Sequence, residues 1–108
     1  MNFLFKKICI ASDHAGYKLK EQIKDHLINK YVSIFDLGAY QNKSVDYPEY
    51  AKKLAKRVKE QKSDVGILVC GSGTGMAISA NKIKGIRAAV CYNAMSTRLS
   101  RQHNNANI

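Results

Sequence analysis

Residues Asp64–Met76 read Asp-Val-Gly-Ile-Leu-Val-Cys-Gly-Ser-Gly-Thr-Gly-Met, and this stretch decides the fold. The apolar, branched run Val65–Val69 predicts a buried strand, and the helical spacing of apolar residues from Met76 onward predicts a helix. The glycine-rich loop between them presents backbone N–H groups and the positive end of that helix to an anion. Cys70 opens the loop, where the helix end favours its thiolate. A nucleophile or base therefore stands beside an oxyanion cradle.

Strand-like and helical segments alternate along the rest of the chain. Apolar runs at Ile8–Ala11, Val32–Leu37 and Ile86–Cys91 predict three more strands, and Ala106–Ile108 begins a fifth. Strands that alternate with helices at this spacing favour a parallel sheet covered by helices on both faces. We therefore predict an α/β fold, a three-layer Rossmann-like αβα sandwich with four parallel strands plus the start of a fifth, in one domain spanning 1–108.

The helices are predicted from apolar spacing and from start signals. In the first helix the predicted buried stripe is Leu19, Ile23 and Leu27. Pro48 marks the first turn of the second helix, whose predicted inward face is Ala51, Leu54, Ala55 and Val58. A short fourth helix is predicted over Ala94–Ser100 after Tyr92-Asn93.

The chemically interesting residues converge on one edge of this sheet. Ligands of open α/β sheets bind beyond the carboxyl ends of the strands, where Asp13-His14 and the Cys70 loop fall, while Tyr47 and His103 lie in segments leading from that edge. Three of these residues also have a purely structural interpretation: Asp13 as a helix cap, Tyr47 as the anchor of a loop to the core, and Cys70 as an inert thiol. The convergence favours a real site over these separate structural roles.

Composition restricts the partners and the compartment. The 108 residues carry 18 Lys+Arg against 8 Asp+Glu, a net charge of +10. The lysines scatter over helix exteriors without interleaved aromatics, which favours a solvated surface over a nucleic-acid interface. Three cysteines, without zinc spacing, indicate a reducing compartment. We expect a cytoplasmic protein with no metal, no membrane segment and no nucleic-acid partner.

The glycine loop excludes two common nucleotide sites. Its pattern Gly71-x-Gly73-x-Gly75 lacks the six-residue dinucleotide fingerprint and the acidic residue that would hold a ribose. It also lacks the Gly-Lys-Ser/Thr ending of a P-loop.

Six blocks of sequence together resemble a known enzyme family. They are Ala11-Ser12-Asp13-His14-Ala15-Gly16, Asp46-Tyr47-Pro48, Cys70-Gly71-Ser72-Gly73-Thr74-Gly75-Met76, Ala80-Asn81-Lys82, Gly85-Ile86-Arg87-Ala88 and Leu99-Ser100-Arg101-Gln102-His103-Asn104. In this order they resemble the B-type ribose-5-phosphate isomerases, which are grouped with the galactose-6-phosphate isomerase subunits. The resemblance covers the chain from about Lys7 onward.

The resemblance implies a cofactor-free aldose–ketose isomerase that interconverts ribose 5-phosphate and ribulose 5-phosphate in the pentose phosphate pathway. It implies that Cys70 is the base that moves a proton between C1 and C2 through an enediolate. The Ser72 hydroxyl assists at the oxyanion, and His103 is the ring-opening acid. Isomerisation of a six-carbon sugar phosphate is the enzymatic alternative, and an inactive sugar-phosphate-binding relative is the non-catalytic one.

The resemblance also implies the substrate contacts and the assembly. The implied binding residues are Asp13, His14, Tyr47, Gly71, Gly73, Thr74, Gly75 and Asn104. Members of the family work as homodimers whose sites are completed across the interface. They continue with the rest of the fifth strand, a long helix and phosphate-clamping arginines, whereas this sequence ends at Ile108. We therefore expect an exposed edge strand, and a homodimer weakened by the absence of that segment.

Overall fold

The computed structural model describes residues 5–28, 30, 32–40 and 46–108. Three strands and four helices are formed within these ranges: β1 (Lys7–Ser12), α1 (Tyr17–Ile28), β2 (Ser33–Asp36), α2 (Tyr47–Lys59), β3 (Val65–Val69), α3 (Thr74–Asn81) and α4 (Ala94–Asn104). The strands form one parallel sheet in the order β2-β1-β3. The predicted α/β class and the parallel sheet are confirmed.

The central strand β1 is buried on both faces. Its alternate residues Cys9 and Ala11 pack in a core with Leu54 of α2 and Ala80 of α3. Because successive side chains of a strand point to opposite faces, Ile10 faces the other side of the sheet, and it is also fully buried. This two-sided burial explains the nearly continuous apolar sequence of β1.

Helix α2 covers one face of the sheet with the predicted residues. Ala51, Leu54, Ala55 and Val58 are all buried. Gly66 of β3 makes room for this helix, since a Cβ at position 66 would lie 2.3 Å from Leu54 Cδ2.

The predicted fourth and fifth strands are not formed among the described residues. The segment Ile86–Cys91 belongs to no ladder, and Ala106–Ile108 lies between it and β3. Asn107 donates its N–H to Arg87 O (2.9 Å) and accepts from Gly66 N–H (3.0 Å). Three residues make too few consecutive hydrogen bonds for a ladder on either side. The described sheet therefore has three strands, not four plus the start of a fifth.

Side chains hold the segment Ile86–Cys91 in place of a ladder. The Asn81 amide donates to Ala88 O (2.9 Å) and accepts from Ala88 N–H (2.8 Å). Arg87 Nε donates to Asn105 O at 2.7 Å.

The predicted buried stripe of α1 is wrong in its first residue. Leu19 is 51% exposed, and Ile23 and Leu27 are half-buried. Leu19 and Ile23 line an open apolar groove of about 810 Å³ beside β3, so they face apolar neighbours without being covered. The buried side chain of α1 is instead Lys20.

Lys20 joins α1 to β2 through a network of charges. Its Nζ lies 2.7 Å from Asp36 Oδ2 and 3.1 Å from Glu21 Oε2. Lys24 Nζ lies 2.7 Å from the same Asp36 oxygen. Burial opposes the charge on Asp36, but the hydrogen bonds from Lys20 and Lys24 outweigh it, so the pKa of Asp36 is lowered.

The carboxyl ends of β1 and β3 meet closely. Asp13 N–H donates to Val69 O at 3.1 Å. Gly16, at the start of α1, lies against the same peptide group, and a Cβ on Gly16 would be 2.4 Å from Val69 O. Only glycine permits this approach of the turn to the end of β3.

Replacing Gly16 should loosen this junction. We expect Gly16→Ala to lower the free energy of unfolding by about 1–3 kcal/mol, because the added methyl group meets rigid backbone. Gly71→Ala is the matched control, since the atom nearest to its Cβ is Ala15 Cβ at 3.8 Å. Urea unfolding of both variants measures the difference, and equal stabilities would contradict the close approach.

Acid should remove the contribution of Asp36 to stability. A carboxyl whose pKa is lowered on folding stabilises the protein above its unfolded pKa of about 3.9, and that contribution disappears as the pH falls through the folded pKa. The difference in unfolding free energy between the wild type and Asp36→Asn should therefore be constant near neutrality and shrink below about pH 5. Glu60→Gln, at the exposed Glu60–Lys62 pair, should show a small difference at every pH. A pH-independent difference for Asp36→Asn would contradict the assignment.

Candidate active site

Most of the predicted site residues line one cleft at the carboxyl ends of β1 and β3. The cleft has a volume of about 320 Å³. Its lining consists of Asp13, His14, Ala15, Tyr47, Cys70, Gly71, Ser72 and Gly75. The two strand-to-helix turns and the start of α2 thus bring together residues that are up to 62 positions apart in the sequence, from Asp13 to Gly75.

The Asp13-His14 turn combines the structural and the chemical interpretation. Asp13 Oδ1 accepts the N–H of Gly16 at 2.8 Å, so the carboxylate caps the turn that opens α1. The same residue lines the cleft but is 9% exposed, whereas His14 beside it is exposed. The turn therefore holds the carboxylate rigidly and leaves the imidazole open to a ligand.

The Cys70 loop folds around its own sulfur. Gly73 N–H donates to Cys70 Sγ at 3.0 Å, and Thr74 N–H donates to Ser72 Oγ at 3.2 Å. Gly73 has φ +82°, a left-handed conformation that favours glycine and turns the chain into α3. Gly73 is the N-cap residue of α3, so the Cys70 sulfur lies at the start of that helix.

Tyr47 closes the cleft from the side of α2. It is the first residue of that helix and is 40% exposed. Its ring lies against Gly75, where a Cβ would be 2.9 Å from Tyr47 Cε1. The ring is therefore seated on the first turn of α3 because position 75 has no side chain.

Four predicted residues do not line this cleft. Gly73 and Thr74 contact Cys70 and Ser72 through their backbone N–H groups instead. His103 and Asn104 lie in the last turn of α4 and are exposed. In the described protomer neither residue lines the cleft that contains Cys70.

Helix α4 is longer than predicted. It runs to Asn104, whereas the sequence pattern predicted an end at Ser100. Asn93 caps its start by accepting Ser96 N–H at 2.8 Å. Polar residues without apolar spacing concealed the last turn, which presents His103 on a helix.

The sequence pattern assigned no role in the site to Ala15, Gly16 and Val69. Ala15 lines the cleft, and Gly16 and Val69 hold the two turns together. Ala15 and Gly16 directly follow His14 in the sequence, and this adjacency could have indicated that they belong to the site. The contact of Gly16 with Val69 has no signal in the sequence.

Two further kinds of feature, a metal site and a membrane-spanning helix, are absent from the described ranges. No group of three His, Cys, Asp or Glu side chains within residues 5–28, 30, 32–40 and 46–108 is placed to hold a metal ion. None of the helices in those ranges combines the length and apolar character needed to cross a bilayer.

The arrangement suits proton transfer next to a carbonyl. Cys70 places a sulfur in the cleft, where it accepts the Gly73 N–H. The start of α3 offers positive potential to a developing oxyanion. His14 lines the same cleft and is open to solvent.

Known proteins are similar to this chain in sequence and in fold. The family model described as Ribose/Galactose Isomerase matches residues 8–108. Ribose-5-phosphate isomerase B of Escherichia coli is 46% identical over 103 residues, which are 95% of this chain and 69% of that protein.

Solved structures agree with the sequence comparison. Ribose-5-phosphate isomerase B of Clostridium thermocellum superimposes with a TM-score of 0.93 at 51% identity, covering 94% of this chain and 69% of that one. The Mycoplasma genitalium enzyme, solved with bound ribulose-5-phosphate, gives a TM-score of 0.87 at 45% identity, covering 93% of this chain and 67% of that one. On the family match and these identities, this chain belongs to the ribose/galactose isomerase family.

Proposed function

We propose that this chain is a ribose-5-phosphate isomerase that interconverts ribose 5-phosphate and ribulose 5-phosphate through an enediolate. The observation that carries the proposal is the Cys70 sulfur, which accepts the Gly73 N–H in a cleft that also contains Asp13, His14 and Tyr47. The identities to ribose-5-phosphate isomerases B and the bound ribulose-5-phosphate in a relative support the choice of substrate.

In the proposed mechanism Cys70 acts as the base on the open-chain aldose. The thiolate removes the proton from C2, electrons move toward the C1 oxygen, and an enediolate forms. Backbone N–H groups of the loop Gly71–Gly75 stabilise the oxyanion, with help from the Ser72 hydroxyl. The thiol then gives the proton to C1, while the proton of the C2 hydroxyl passes to the C1 oxygen and C2 becomes the carbonyl carbon of the ketose. The step needs no redox cofactor, because one carbon is oxidised as its neighbour is reduced.

The walls of the cleft supply the substrate contacts. We assign the sugar hydroxyls and phosphate to Asp13 and His14, and one face of the sugar to Tyr47. Asp13 is held by Gly16, so it offers a preorganised acceptor instead of a mobile one.

His103 and Asn104 enter this proposal through a second copy of the chain. Both are exposed on α4 and lie outside the cleft of their own protomer. The same helix exposes Met95 (67%) and Leu99 (41%), which are apolar side chains suited to an interface. We therefore propose a cytoplasmic homodimer in which His103 of one subunit opens the sugar ring bound beside Cys70 of the other.

Substitution of Cys70 tests the base. In D2O, the wild type should convert ribose 5-phosphate into ribulose 5-phosphate and place deuterium at C2 of the aldose, as followed by proton NMR. Cys70→Ala should lose at least about 100-fold in rate, the usual contribution of a general base.

Cys91→Ala is the matched control, because Cys91 is a free, exposed thiol outside the cleft, and it should keep wild-type activity. Equal rates for Cys70→Ala and the wild type would remove Cys70 as the base. Conversion of galactose 6-phosphate in preference to the pentose would favour the six-carbon alternative. Binding of either sugar without turnover by the wild type would favour the non-catalytic one.

Mixing two inactive variants tests the shared site. Cys70→Ala and His103→Ala should each be impaired, and subunit exchange between them should restore about a quarter of wild-type activity, since half of the dimers are mixed and each mixed dimer has one intact site. Cys70→Ala mixed with Cys70→Ser should stay inactive. Failure of the first mixture to recover, with exchange verified by mass spectrometry, would show that Cys70 and His103 do not act across an interface.

A further inference from the structure

The least expected buried side chain is that of Lys20 in α1. Lys20 is fully buried, and its ammonium lies 5.3 Å from the Tyr17 ring centroid and 5.7 Å from that of Tyr40. Burial of an ion pair is costly, and an apolar replacement of similar size is often neutral or stabilising. Stability of the core therefore does not explain why a lysine stands at this position.

The carboxylate that pairs with Lys20 shapes the turn after β2. Asp36 Oδ2 accepts the Lys20 ammonium at 2.7 Å, and Asp36 Oδ1 accepts the Gly38 N–H at 2.8 Å. The Tyr40 hydroxyl donates to Asp36 O at 3.0 Å. Lys20 thus contacts the residue before the turn Leu37–Tyr40, which is Asp36, and the ring of Tyr40 at the end of that turn.

The turn Leu37–Tyr40 also holds the end of β1. Ser12 N–H donates to Gly38 O at 2.7 Å, and Ala39 N–H donates to Ser12 O at 2.9 Å. Ser12 is fully buried and immediately precedes Asp13 and His14. The backbone that carries the Asp13-His14 pair is therefore fixed on one side by Val69 and on the other by the turn that Lys20 organises.

We propose that Lys20 is a positioning residue for the active site. It acts through Asp36 and the turn Leu37–Tyr40 to hold Ser12, and with it Asp13 and His14, in the geometry that receives the sugar phosphate. The inference rests on the proposed isomerase function and extends it to a residue outside the cleft. Its physical basis is that a small misplacement of binding groups by a remote change reduces catalysis severely.

The chain contains a matched control for this role. Lys24 Nζ also lies 2.7 Å from Asp36 Oδ2 and forms the same type of ion pair. Its side chain is 31% exposed, and the aromatic contacts of the network are made by Lys20. The two lysines therefore share a partner and a charge but differ in their contact with the turn.

Steady-state kinetics of Lys20→Met and Lys24→Met with ribose 5-phosphate test the proposal. Lys20→Met should raise KM about tenfold and change kcat less than about threefold, because the misplaced groups bind substrate in ground and transition states alike. Lys24→Met should stay within about twofold of the wild type in both constants. A loss of folded protein alone would lower the apparent kcat and leave KM unchanged, so the split separates positioning from stability.

A double variant tests the route. If Lys20 acts through Asp36, Lys20→Met/Asp36→Asn should have the KM of Asp36→Asn alone, whereas independent effects would multiply. An unchanged KM for Lys20→Met, or an equal rise for Lys24→Met, would overturn the proposal.

If Lys20→Met does not fold, the variant Tyr40→Leu tests the same proposal. Tyr40 is 67% exposed, and this variant removes the ring and its hydroxyl while keeping all four charged groups. It should raise KM in the same direction, and an unchanged KM would overturn the proposal. An inactive wild type would instead refute the isomerase function, so the two failures are distinguishable.

Discussion

The hydrogen bond from Asp13 N–H to Val69 O is the constraint on which the site depends. It joins the carboxyl ends of β1 and β3, from which the chain continues into Asp13-His14 and into Cys70. Gly16 allows the approach by bringing bare backbone against the same peptide group. A side chain there would separate the carboxylate and imidazole from the thiol, although every strand could still form.

The two turns that meet at this point use their N–H groups differently. The first turn directs the Gly16 N–H at the Asp13 carboxylate, which is thereby immobilised. The second directs the Gly73 N–H at the Cys70 sulfur, which stays at the rim of the cleft. The same backbone device thus fixes a carboxylate in one turn and contacts a sulfur in the other. This division suits the isomerisation proposed above, in which the Cys70 thiol and the backbone N–H groups of its loop act on the sugar.

Parts of the fold whose sequence pattern has a single physical meaning were predicted correctly. The inward face of α2 follows from apolar residues spaced three and four apart, and β1 and β3 follow from short apolar runs bounded by polar or glycine residues. The predictions were wrong where contacts with residues distant in the sequence decide the local structure. Ile86–Cys91 has the composition of a strand, but a ladder needs a partner of sufficient length. In the described ranges the segment Ala106–Ile108, which hydrogen-bonds with it, has three residues. Leu19 has the spacing of a core residue, but it faces an open groove, while Lys20 is buried because Asp36 and two tyrosine rings surround it.

The sequence by itself determined the α/β class, the loop Cys70–Gly75 and the identity of most residues that line the cleft, because these depend on local patterns and on motifs. Only the tertiary structure decided that Asp13 both caps a turn and lines the cleft, that Tyr47 rests on Gly75, and that His103 lies on an exposed helix outside the cleft. It also decided that a buried lysine organises the turn beside the active site. These features arise from contacts between segments distant in the chain, and local sequence patterns carry no information about such contacts.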